Sequence, residues 1–219
     1  MTTEARLRLY QLVSPALPVG AFSYAEGLEV LVQSGRLPDA AAVRYWLEAE
    51  LRRGTVRLEA AALPQLLAQL TDWRRADLLN LEGWLLAQRE APELRAQMRQ
   101  MGGSLLHLLA DLGWPLPEPT PLAWPAAFAW AGCCLQIEAP ELVEAFLYGW
   151  AANQLSAAVR LVPLGPTEAQ RLQLQLAPLI ASEARLLAET DPFTLWNGGV
   201  GAGFAQLGQA ELYSRLFRS

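Results

Sequence analysis

The sequence predicts an all-α protein, a single-domain bundle of about eight to ten helices with a flexible C-terminal tail. Three observations carry this expectation. Leu and Ala dominate while β-branched residues are scarce, which favours helix over strand. Apolar residues recur at helical spacing in segment after segment. The breaks between segments fall at Pro, Gly and capping residues. Of 219 residues, 53% are hydrophobic and 18% charged, so core material is plentiful. The length fits one domain of above-average size, which buries about 70% of its unfolded surface.

In residues 14–29, Pro15, Pro18 and Gly20 force a non-helical start, and a helix is expected near Ser23. Asp39, after Pro38, opens a helix to about Arg53, and Asp72 caps the next but one, which runs to about Ala87. Ala91-Pro92-Glu93 starts another helix, with Met101, Leu105, Leu108, Leu109 and Leu112 on its apolar face. Pro117, Pro119, Pro121 and Pro125 make residues 116–125 an extended connector. The next helix starts at Pro140; Val143, Phe146, Leu147 and Trp150 follow i, i+3, i+4, i+7, and Val162-Pro163-Leu164-Gly165-Pro166 ends it. Thr167, with Gln170 three residues on, reads as a capping box. Residues 171–176 alternate polar and apolar, as a strand would. Their Gln/Leu content and the helical spacing of Leu172, Leu176, Leu179 and Ile180 decide for a helix ending near Thr190. Residues 197–203 read as a glycine-rich hinge and residues 206–219 as a tail. Both sides of the proline connector are equally apolar, so residues 1–219 are expected to form one domain.

Composition excludes whole classes of chemistry. All 17 basic residues are Arg, so there is no P-loop lysine, Schiff-base lysine or kinase-type lysine. His107 is the one His, so zinc-hydrolase motifs that need two or three imidazoles are impossible. Cys133 and Cys134 are adjacent and read as two small buried apolar side chains, not a spaced metal pair. A net charge of −5 argues against nucleic acid, whose phosphates demand a basic field. The uncharged runs 119–137 and 192–210 are interrupted, the first by Pro121 and Pro125, the second by five Gly. Neither resembles a spanning helix of about 20 apolar residues, so no membrane is expected. Residues 1–10 carry Glu4, Arg6 and Arg8 without an apolar run, so no signal peptide is expected either. A mean hydropathy of +0.16 is high for a free-standing soluble monomer. The expectation is a cytoplasmic protein that covers apolar surface with a partner.

Four segments carry residues that admit both a functional and a structural reading. Residues 199–203 have the glycine content of a phosphate loop but lack the preceding strand. Ser104, His107 and Asp111 share one helical face, a geometry that offers a nucleophile no oxyanion hole. Glu26 and Glu29, three apart, suit acid–base work or a partner's Arg, and the second reading is preferred. Their neighbours Phe22, Ser23 and Tyr24 add rigid aromatics of the kind found in binding hot spots. The end of the chain, Tyr213-Ser214-Arg215-Leu216-Phe217-Arg218-Ser219, is basic and aromatic and suits folding onto a partner.

Residues 14–29, 89–106, 159–171 and 213–219, four blocks in register, together resemble the UreF family of urease accessory proteins. Residues 14–29 are close to the family's opening SPALPVGGFSYSQGLE. Arg89-Glu90-Ala91-Pro92-Glu93-Leu94-Arg95, with Met101-Gly102 and Leu105-Leu106 after it, is similar to RETxELR…MGxxLL. Residues 159–171 resemble AVKLVPLGQTxGQR, and residues 213–219 match YSRLFRS. The chain departs from the pattern at Ala25, Glu26, Pro166, Glu168 and Ala169. Gln209-Ala210 stand where the family often has His-Glu, so a metal-handling role resting on that His does not carry over.

The resemblance implies an all-helical homodimer with no catalysis, cofactor or metal site of its own. It implies a complex with UreD, also called UreH, and the nickel-carrying GTPase UreG. That complex delivers nickel to apo-urease, with UreF coupling the GTPase state to activation. On this basis Phe22, Ser23, Tyr24, Glu26 and Glu29 are expected to face UreG. Tyr213, Arg215, Leu216, Phe217 and Arg218 are expected to order against UreD, and truncation at Gln209 to leave the helical fold intact. Arg89, Glu90, Glu93 and Arg95 are read as helix-supporting charges. The alternative is a small helical enzyme or ligand-binding protein using Glu26, Glu29 and His107.

Overall fold

The computed structural model describes residues 2–218. Met1, within the stretch read for a signal peptide, and Ser219, the end of the tail, lie outside the described residues. Ten α-helices and three short 3-10 turns make up the regular structure of the described residues, with no strand among them. The first five are α1 (Thr3–Leu12), α2 (Leu28–Gln33), α3 (Ala40–Arg53), α4 (Thr55–Thr71) and α5 (Arg75–Ala87). They are followed by α6 (Pro92–Asp111), α7 (Trp124–Leu135), α8 (Ala139–Leu161), α9 (Pro166–Leu187) and α10 (Val200–Gly208).

Local chemistry fixes most of these boundaries. The Asp39 side chain accepts the Ala42 N–H at the start of α3, and Arg52 and Arg53 in its last turn complement the helix dipole. Pro occupies the first turn of α6, α7, α8 and α9, where its missing N–H has no intrahelical partner to lose. Three expected boundaries move. Pro166 itself begins α9 after Gly165, so Thr167 lies inside the first turn and does not cap it. Asp72 ends α4; Trp73, at φ 49°, reverses the chain before α5. The helix expected near Ser23 is a three-residue 3-10 turn, Ala21–Ser23. Glu26 at φ 49° and Gly27 at φ 83° then hold the chain left-handed and delay α2 to Leu28.

α4 and α8 form the axis of the bundle. α4 packs on α3, α5, α7, α8 and α9, while α8 packs on α9 and reaches α1, α2, α3 and α7. Leu63 and Leu66 of α4 and Leu142 and Leu147 of α8 are fully buried, each contributing about 1.5–3 kcal/mol through removal from water. The Phe128 ring bridges Trp124 and Phe146, at centroid distances of 5.4 and 5.3 Å. One contiguous apolar cluster draws on residues from Leu12 to Phe217. No helix of the described residues is long and apolar enough to cross a membrane.

Two expected features differ. The glycine-rich residues 197–203 do not form an irregular hinge, because α10 starts at Val200. The Gly198 N–H donates to Arg53 O at 2.7 Å and Asn197 Nδ2 donates to Thr55 Oγ1 at 2.9 Å, anchoring the segment where α3 meets α4. The glycines here serve close approach: a Cβ on Gly203 would collide with the Glu90 carboxylate. Cys133 and Cys134 are half-buried, not fully buried, and burial pushes the Cys134 thiol up to about 12, so it is protonated at neutral pH. The surface retains large apolar residues near the C-terminal end of the chain. Trp196, Val200, Phe204 and Leu207 are exposed, the last three on one stripe of α10.

Candidate partner-binding site

The opening segment is a chain of turns held from several sides. The Leu17 N–H donates to Ser14 O, and the Tyr24 N–H closes the 3-10 turn on Ala21 O. Tyr24 is buried; its hydroxyl donates to Gln100 Oε1 on α6 at 2.9 Å, and Asn153 Nδ2 on α8 donates to its carbonyl at 3.3 Å. Gly27 is required twice over. Its φ is left-handed, and a Cβ there would lie 2.7 Å from the Gln206 nitrogen of α10.

Beneath this segment lies a buried charge cluster. Arg89, only 2% exposed, donates from Nη1 to Glu26 Oε2 at 3.1 Å and from Nε to Glu59 Oε1 at 2.8 Å. Trp150 Nε1 donates to the same Glu26 oxygen at 3.4 Å. One guanidinium thus serves two carboxylates; burial works against its charge, but Glu59 and Glu26 together outweigh burial and push its affinity for the proton further up. Burial raises the Glu59 carboxyl above the usual range; Arg89 opposes that shift and Glu26 adds to it. Nearby Glu50 is pushed up to about 7, chiefly by burial, with Arg89 and Arg53 opposing and Glu26 adding to the rise. The left-handed backbone of Glu26 is strained for a non-glycine residue, and its buried ion pair supplies a force that holds it there.

The C-terminal segment docks on the other acidic residue of the opening block. Glu29 is buried and accepts the Leu216 N–H at 2.8 Å, the Phe217 N–H at 3.1 Å and Gln209 Nε2 at 3.3 Å. Phe217 is 3% exposed, with the Arg160 guanidinium 4.5 Å from its ring centroid. The Arg218 N–H donates to Ser23 O at 2.9 Å, and Arg160 Nη1 donates to Phe22 O at 3.3 Å. The opening segment and the end of the chain therefore form one structural unit.

These positions revise the expected contact surfaces. Phe22 is exposed and Ser23 half-buried, but Tyr24, Glu26 and Glu29 are buried and bonded within the chain. Tyr213, Arg215, Leu216 and Arg218 are exposed, while Phe217 is a core residue. The tail is thus a docked segment, and truncation at Gln209 would strip two backbone donors from a buried carboxylate. His107 is exposed on α6 and lies 3.7 Å from Asp111, whereas Glu26 pairs with Arg89 and Glu29 with the tail. Those three residues share no site, so the enzyme alternative loses its constellation. Arg89, read as a helix-supporting charge, is the centre of the buried cluster. Sequence reasoning also missed Glu59, Arg160 and Gln209. The Arg89-Glu90 block and the replacement of His-Glu by Gln209-Ala210 were the available signals, but their partners lie up to 180 residues away in sequence.

The chain is similar to known proteins along its whole length. The family model described as UreF matches residues 37–177. A urease accessory protein UreF of Alkalilimnicola ehrlichii (strain ATCC BAA-1101 / DSM 17681 / MLHE-1) is 39% identical over 231 aligned residues, covering 100% of both chains. One from Prochlorococcus marinus (strain MIT 9215) is 36% identical, covering 99% of this chain and 100% of its own. One from Synechocystis sp. (strain ATCC 27184 / PCC 6803 / Kazusa) is 35% identical, covering 100% of both.

Proposed function

The chain belongs to the UreF family of urease accessory proteins, and from that premise we propose that it acts as a cytoplasmic, homodimeric scaffold without catalysis of its own. It joins UreD and the GTPase UreG, and the assembly delivers nickel to apo-urease. The observation that carries this reading is the union of the opening segment with the tail through Glu29 and Ser23. Phe22 and Ser23 offer the UreG-facing contact, shaped from beneath by Tyr24, Glu26 and Glu29. Tyr213, Arg215, Leu216 and Arg218 face UreD, with Phe217 as their anchor, and the exposed stripe of α10 adds apolar surface for the same partner. Because Glu29 holds the tail and the Arg218 N–H bonds the Ser23 carbonyl, a change at either surface is transmitted to the other, which couples the GTPase state to nickel delivery.

Size-exclusion chromatography with light scattering, on the chain alone and co-expressed with UreD and UreG, tests the proposal. A dimer that becomes a three-component complex is expected. Phe204→Glu, on the exposed stripe, is expected to keep its helicity and lose UreD. A wild-type chain that takes up neither partner would sink the reading.

A further inference from the structure

A cavity of about 380 Å³ opens between the Leu12–Phe22 side of the opening segment and helices α6, α7 and α8. That size falls within the range of ligand pockets. Its walls are mostly apolar, with Leu17, Met98, Met101, Trp124, Phe128 and Phe146 among them. The charged groups among its described lining residues are Glu26 and Glu59 alone, both carboxylates. They share the single cation Arg89, so with all three ionised the floor of an apolar cavity keeps one unbalanced negative charge. Burying such a charge is costly unless a second cation or a proton meets it.

We propose that this cavity receives an Arg or Lys side chain, flanked by apolar residues, from a partner protein. The guanidinium or ammonium would supply the missing positive charge at Glu26 and Glu59. The two methionines let the apolar wall adapt to the flanking residues. The mouth decides for a protein over a free small cation. It is bordered by Phe22, 70% exposed, and Tyr148, 42% exposed, aromatic surface that a small ligand would leave in water and a partner would cover. The inference rests on the scaffold reading only in taking the occupant to be a protein.

The test uses the full chain without partners and reads tryptophan fluorescence. The probes are acetyl-Leu-Arg-Leu-amide, the same peptide with citrulline in place of Arg, and n-butylguanidinium. The Arg peptide is expected to bind at least about tenfold more tightly than the uncharged citrulline peptide. Gly149→Leu, in a helix wall where a Cβ meets nothing closer than Val13 Cγ1 at 3.8 Å, fills the cavity and is expected to abolish binding with the circular dichroism unchanged. Glu26→Gln is expected to shrink the preference for the charged peptide to about threefold or less. No binding, equal affinity of the two peptides, or binding undisturbed by Gly149→Leu would overturn the proposal. Binding of n-butylguanidinium as tight as that of the peptide would overturn the assignment to a partner's side chain. Peptide binding by a chain that takes up neither UreD nor UreG would count against the scaffold reading alone.

Discussion

Glu50→Gln should make this protein more stable at pH 8 while changing little at pH 5. Glu50 stands in the last turn of α3, 9% exposed, and a Cβ on Gly54 would collide with its carboxylate. Burial dominates its environment and raises its affinity for the proton, from the ordinary 4.5 to about 7. The sign follows from comparing the two states. Below pH 4.5 Glu50 is protonated in both folded and unfolded chains, so it has no effect on stability. Between 4.5 and 7 the folded chain holds a proton that the unfolded chain has released, and stability falls as pH rises. Above 7 the loss is complete, at about 3 kcal/mol for a shift of this size. Gln keeps the shape without the charge. Urea unfolding of wild type and variant at pH 5 and pH 8 isolates the effect, since the other buried carboxylates are common to both proteins. The variant is expected to gain about 1–3 kcal/mol at pH 8, or roughly 2–4 °C in Tm per kcal/mol for a chain of this length. Equal destabilisation at both pH values, or a pH-independent difference, would refute the reasoning.

Other perturbations probe the remaining joints of the structure. Arg89→Ala leaves Glu26 and Glu59 buried without their cation, and chemical denaturation should show a loss of about 3–5 kcal/mol. Gly27→Ala places a Cβ 2.7 Å from the Gln206 nitrogen at a left-handed φ, so hydrogen exchange should quicken in α10 while α4 stays protected. Phe217→Ala removes a buried ring and is expected to cost about 3–5 kcal/mol, with faster proteolysis after Gly208 the accompanying sign. His107→Ala, at an exposed helix position, should change neither stability nor partner uptake by more than about 0.5 kcal/mol.

Much of the helical framework was legible in the sequence. Pro92 and Pro140 marked the starts of α6 and α8, and Asp39 that of α3, because a proline in the first turn and an aspartate before it act on donors within their own turn. The same local rules misled where two signals competed. Thr167 was a capping residue by pattern, but Pro166 beside it had already begun the helix. The glycines of residues 197–203 looked like freedom to bend. Two of the four, Gly201 and Gly203, lie in a helix, where at Gly203 the missing side chain lets α10 sit against Glu90.

What the sequence by itself determined was the helical class, the chemistry ruled out by an absent Lys and a lone His, and the family to which the chain belongs. These rest on composition, on local spacing and on motifs in register, which need no knowledge of what lies across the bundle. What only the tertiary structure decided was the role of each residue within those motifs. Glu26 and Glu29 looked alike as acidic neighbours of an exposed aromatic. Folding gave one to Arg89, 63 residues on, and the other to backbone N–H groups 187 and 188 residues away. Those pairings are fixed by the long-range closure of α2, α6, α8 and the tail around a single buried volume, where a carboxylate must find a partner or bind a proton.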